Sequence, residues 1–105
     1  MIHNLEITGD GATHTLAALA LATGLPGIAG AGGTRPQWIQ FILPSGNSGV
    51  ARVGDVNTDS SHGLPLPAGS GQMFPPVYQV GHTYSLSAIY VNVANADTMS
   101  VAWEA

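Results

Sequence analysis

The chain has no cysteine and no lysine. Without cysteine there is no disulfide and no thiolate metal site, so stability has to come from packing and assembly. Without lysine there is no Schiff-base chemistry and no Gly-Lys-Ser/Thr phosphate loop. Charge of either sign is scarce: two arginines (Arg35, Arg52) and six acids (Glu6, Asp10, Asp55, Asp59, Asp97, Glu104) in 105 residues, a formal charge of −4. Two cations cannot build the basic patch that neutralises several phosphates, which excludes a nucleic-acid partner and disfavours an anionic membrane surface. Long apolar runs are missing too. The longest, Leu16–Ala22, is far below the ~20 residues of a spanning helix. No basic residue precedes it, as a secretory signal would require, so the chain reads as cytoplasmically made and unprocessed.

A free-standing soluble domain covers roughly a quarter to a third of its surface with charged side chains. Charges are depleted where surfaces bury against a partner, because each buried charge has to be desolvated. So sparsely charged a chain reads as an assembly part whose exterior is occupied by neighbours.

What is present is strand-like alternation punctuated by turn residues. Ile39, Phe41 and Leu43 share one face, with Trp38, Gln40 and Ile42 on the other. Pro44–Gly49 turns the chain and Val50–Val53 resumes a strand, which reads as a hairpin. Ile89, Val91 and Val93, then Met99, Val101 and Trp103 across an Asn95-Ala96-Asp97 turn, read as a terminal hairpin with one buried side. Gly63–Gly69 alternates leucine with proline, which suits an edge strand because proline cannot donate to a ladder. Residues 13–24 fit either a short helix capped at Thr13-His14-Thr15 or a strand; the all-β surroundings favour the strand. The expectation is a single all-β domain over residues 1–105, an antiparallel, jelly-roll-like β-sandwich of about seven or eight short strands. Residues 1–12 form an N-terminal strand or arm, and residues 24–36 a Gly-rich loop.

The chemical constellations are thin. Asp55-Val56-Asn57-Thr58-Asp59 begins like a calcium loop, but Ser60 stands where the bend needs glycine and Leu66 where a bidentate glutamate belongs. Asx turns are the plainer reading. His3, His14, His62 and His82 show no metal-ligand spacing. Gly46-Asn47-Ser48-Gly49 looks faintly like a glycine-flanked serine nucleophile, yet no base or oxyanion hole accompanies it. We expect no catalytic residue, no metal and no cofactor. Trp103 reads as core and Trp38 as a side chain emerging at an interface.

Arg52-Val53-Gly54-Asp55, Gly63-Leu64-Pro65-Leu66-Pro67-Ala68-Gly69, Ser87-Ala88-Ile89-Tyr90-Val91 and Ala96-Asp97-Thr98-Met99-Ser100-Val101 resemble small virion structural proteins of tailed bacteriophages, of the capsid decoration (cement) type. The likeness runs over residues 36–103. It implies a jelly-roll-like sandwich on the outer surface of a major capsid shell, made in the bacterial cytoplasm. Its partners would be the major capsid protein and copies of itself, as a dimer or trimer. Expected contact residues are Ile2, Leu5, Ile28, Arg35, Trp38, Leu64, Pro65 and Leu66. Met1–Ile7 is expected to be an anchor removable without unfolding the sandwich. Two other classes remain: a glycan- or receptor-binding sandwich using Trp38 with Gln37 and Gln40, and a self-assembling shell, head or tail subunit.

Overall fold

In the computed structural model, which describes residues 2–22, 36–75 and 83–104, the period-two pattern becomes eight antiparallel strands. They are β1 (Ile2–Thr8), β2 (Thr13–Thr15), β3 (Ile39–Ile42), β4 (Ala51–Gly54), β5 (Leu64–Leu66), β6 (Gly71–Phe74), β7 (Tyr90–Asn92) and β8 (Thr98–Glu104). A short helix, α1 (Leu16–Ala22), follows β2, and a 3-10 turn, Leu86–Ala88, precedes β7. The Gly-rich segment 24–35 and His82 lie outside the described residues.

The strands form two four-stranded sheets, β1-β8-β3-β6 and β2-β7-β4-β5. Early strands pair with late ones: β1 with β8, β2 with β7, β3 with β6, β4 with β5. The β8–β3 and β7–β4 ladders close each sheet. This is the jelly roll, one long antiparallel ribbon folded over on itself, and the sandwich expected from the sequence is what forms. Two hairpins expected from the sequence are not there. β3 and β4 lie in different sheets, as do β7 and β8, so both turns cross the sandwich. Alternation fixes which side of a strand is buried; it does not fix the neighbour it bonds to.

The core lies between the sheets. Trp103, Met99 and Val101 of β8 face Leu16, Leu86 and Val91, and Phe41 and Ile39 of β3 are fully buried beside them. The His3 ring stacks on Trp103 at 5.8 Å. Leu5 and Ile7 complete this core from β1, which pairs residue for residue with β8. The N-terminal segment is therefore no removable anchor. Losing either buried side chain alone would cost about 2–5 kcal/mol.

The strand expected over 13–24 stops at Thr15. The Thr15 hydroxyl accepts the Ala18 N–H at 3.1 Å, an N-cap. Alanine and leucine then propagate a helix, with Leu16, Ala17 and Ala20 on its buried side. Seven residues would not hold a helix alone; packing on the core and the Leu16 N–H bond to the Ile89 carbonyl (3.0 Å) hold this one.

The crossovers are tied together at one end of the sandwich. Asp97 is a largely buried residue, and its carboxylate accepts the Ser48 N–H (3.0 Å), the Ser48 hydroxyl (3.1 Å) and the Gly49 N–H (2.8 Å). The Asn47 side chain donates to the Thr98 carbonyl and accepts the Thr98 N–H, imitating one more ladder pair. Gly9 N–H bonds the Asp97 carbonyl, and Ala96 N–H bonds the Gly9 carbonyl. A Cβ on Gly9 would collide with the Ala94 and Val93 carbonyls, whereas one on Gly46 meets open space. Gly9→Ala should therefore destabilise by at least about 1–3 kcal/mol, and Gly46→Ala should leave the urea midpoint nearly unchanged.

The backbone N–H groups of Ser48 and Gly49 hold the Asp97 carboxyl below the usual range, against the opposing effect of its desolvation. A depressed native pKa stabilises the fold above the unfolded value and loses that contribution as pH falls from about 4. Asp10 and Asp59 are lowered too, mainly by the Ala12 and Ser61 N–H groups, and add to the same acid limb. Urea midpoints from pH 7 to pH 2 should show Asp97→Asn weaker at neutral pH, with a shallower fall into acid than the parent. Parallel curves would remove Asp97 from this role.

Candidate functional site

The outer faces of the two sheets differ. That of β2-β7-β4 is covered by the chain's own β4–β5 loop. Buried Thr58 sits over it, accepting the Thr13 hydroxyl at its carbonyl (2.9 Å), while Asn92 donates to Thr13 and to the Gly11 carbonyl (both 3.1 Å). The outer face of β1-β8-β3 carries no such cover among the described residues.

Register places two rows of side chains across that bare face. Asn4, Ala102, Gln40 and Met73 form one; Glu6, Ser100, Ile42 and Gly71 form the other. The central strand β8 supplies only Ser100 and Ala102. Its flanks supply longer side chains, so the face sinks into an open trough of about 480 Å³ floored by β8. Asn4 and Glu6 form one wall, Gln40 and Ile42 the other. Beyond it Ile2 is 59% exposed, and on the other side Met73 is 44% exposed.

Both acids of this face are partnered on it. The Ser100 hydroxyl donates to Glu6 at 2.7 Å, and the Trp38 indole N–H donates to Glu104 at 3.3 Å. The cation described, Arg52, lies on the other sheet, with Nη1 donating to the Gly63 carbonyl. Among the described residues, the trough thus offers amide, hydroxyl, carboxylate and aliphatic groups and no positive charge.

The expected contact residues separate. Ile2 is exposed and Trp38 half-buried, both beside the trough. Leu64 and Pro65 are exposed on β5, the edge strand of the other sheet. Leu5 and Leu66 are corrected: strand alternation turns both inward, leaving them 3% and 4% exposed in the core. Ile28 and Arg35 lie outside the described residues. Missing from the expectation are Asn4, Glu6, Ile42, Ser100 and Ala102, and Gln40 entered it only for the sugar-binding alternative. Parity marked them, since each alternates with a core residue.

The remaining polar groups form local structure. Asp55 accepts the Asn57 N–H, and Asp59 accepts the Ser61 and His62 N–H groups, the Asx turns expected of that loop. His14 pairs with Asp10 (2.9 Å) and His62 with Asp59 (2.8 Å), both exposed. Ser48 serves the Asp97 corner. Among the described residues, no three His, Asp or Glu side chains converge. A second cleft, about 270 Å³ between the sheets, is lined by Phe41, Val53, Leu64, Phe74, Tyr84 and Ile89. Its walls are almost wholly apolar and give a ligand little to orient it. No helix among the described residues is long and apolar enough to cross a membrane.

No protein family, curated protein or solved structure matches this chain.

Proposed function

We propose that this protein is a virion structural protein, a decoration (cement) subunit that lays the outer face of β1-β8-β3-β6 on the major capsid shell. The observation that carries the reading is the uncovered trough. One outer face is partly covered by the chain's own loop, while the other leaves Ile2, Ile42 and Met73 substantially exposed, with its two acids hydrogen-bonded to neighbours on the same face. Glu6 and Glu104 keep their charge, and one neutral donor on each offsets part of the cost of leaving water, so a shell that supplies further donors to them fits this face. Covering each exposed aliphatic side chain contributes about 1 kcal/mol, part of the full-burial value. One copy then binds modestly, and a lattice of copies holds the shell through many weak clips. With no cation at the contact among the described residues, binding should depend little on salt.

Mass spectrometry of purified virus particles from the producing cells is the direct test. The chain should be present in a copy number commensurate with the shell protein. Ala102→Arg, which puts a bulky charge on the trough floor, should remove it from particles while its melting curve stays close to the parent's. Absence of the parent chain from particles disposes of the reading.

A second reading rests on the Trp38–Glu104 pair beside Gln40: an aromatic plane next to carboxylate and amide groups suits a neutral sugar. It is the weaker one, because Trp38 is half-buried and its N–H is already engaged. On a glycan array it requires a signal that Trp38→Ala abolishes; a silent array removes it.

A further inference from the structure

Four strands end the two sheets: β1 and β6 in one, β2 and β5 in the other. An end strand presents unpaired N–H and C=O groups along one side, a template for another chain, and folded proteins blunt such edges. Three of these four are blunted. β2 is three residues long, β5 is three with Pro65 at its centre, and β6 is four, followed by Pro75. β1 is seven residues long and carries neither proline nor lysine. Its ladder to β8 runs one-to-one from Ile2 to Thr8, so no bulge twists the edge away. Its one charge, Glu6, is drawn toward β8 by the Ser100 hydroxyl, away from the open side. No described residue outside β8 hydrogen-bonds the β1 backbone.

We propose that β1 pairs with β1 of a second copy, antiparallel about a two-fold axis through Leu5, joining two sandwiches through one continuous sheet. A two-fold interface has to be self-complementary, and this register is. Ile2 meets the partner's Thr8, His3 meets the partner's Ile7, and Asn4 meets the partner's Glu6. The whole strand is paired, and Asn4 lies cross-strand from Glu6, where its amide can reach the free lone pairs of the carboxylate that Ser100 holds. Neighbouring registers are poorer. An axis through Glu6 sets two like charges directly opposite, which destabilises an antiparallel pair. An axis through Asn4 pairs a shorter stretch.

The axis runs perpendicular to the sheet, so the outer faces of both copies lie on the same side. The Asn4–Glu6 wall of one trough then abuts that of the other. The dimer rests on β1 alone. Its consequence, two troughs presented side by side to one shell, rests on the proposed function and would raise avidity by making the second contact intramolecular.

Light scattering and sedimentation of the full chain at tens of micromolar should give twice the 10.7 kDa chain mass. Asn4→Glu sets a carboxylate against the partner's Glu6 twice per dimer and should weaken dimerisation roughly tenfold or more. Adding Glu6→Lys to that variant should restore the dimer, and circular dichroism should show each variant folded. A monomeric parent overturns the proposal. So does a dimer indifferent to Asn4→Glu, which would use another surface. A dimer missing from particles refutes the decoration reading and leaves this one standing; a monomer found on particles does the reverse.

Discussion

The carboxylate of Asp97 is the constraint on which this fold turns. A jelly roll asks its chain to change sheets again and again; here only the β4–β5 link stays within one sheet. Each crossing strips backbone groups of ladder partners, and those groups still need bonds wherever water is excluded. Asp97 supplies them to the β3–β4 crossing through Ser48 and Gly49, while its own carbonyl takes the Gly9 N–H of the β1–β2 crossing. Asn47 completes the knot at Thr98. Three crossings are thereby fixed relative to one another, and with them the register of β1, β3 and β8. The trough exists only because those three strands lie side by side in that register.

What the sequence disclosed follows from what a local pattern can encode. In β8 the alternation of Met99, Val101 and Trp103 with Ser100 and Ala102 is strict, and both faces were legible from it. Partner choice was not legible, because it is decided by contacts far apart along the chain. Pro44–Gly49 and Asn95–Asp97 look like hairpin turns, being rich in turn residues. Asn47 and Asp97 instead bond backbone groups of the other crossing, at Thr98 and at Ser48 and Gly49. The helix at Leu16–Ala22 is hard to read from sequence for another reason. Its Ala–Leu run satisfies either period, and what decides between them is tertiary: Leu16, Ala17 and Ala20 pack on the core and the Leu16 N–H bonds Ile89, with the Thr15 hydroxyl as cap. In Asp55–His62, by contrast, each aspartate bonds an N–H two residues on, so the Asx turns could be read from neighbours alone.

The same logic sorts the candidate contact residues. Leu5 and Leu66 lie in segments expected to make contacts, but apolar residues on a strand turn to the core when parity allows. The residues that shape the bare face are the small and amide-bearing ones between them, Asn4, Gln40, Ser100 and Ala102. Composition signalled that some surface lacks charge, and only strand pairing says which one.

The placement of the few charges then becomes informative. Asp10, Asp55 and Asp59 sit in loops, and Asp55 and Asp59 belong to the loop that covers the second sheet. At net charge −4, those groups make approach through the loops and the covered face electrostatically unfavourable between copies. Glu6 and Glu104, on the first sheet, are each tied to a donor on the same face, which lowers the penalty for bringing a surface against them. Three of the acids thus lie in loops away from the trough, and the two beside it each share a face with a hydrogen-bond donor. A chain so poor in charge stays selective in its contacts by position, since it has too few charges to do so by number.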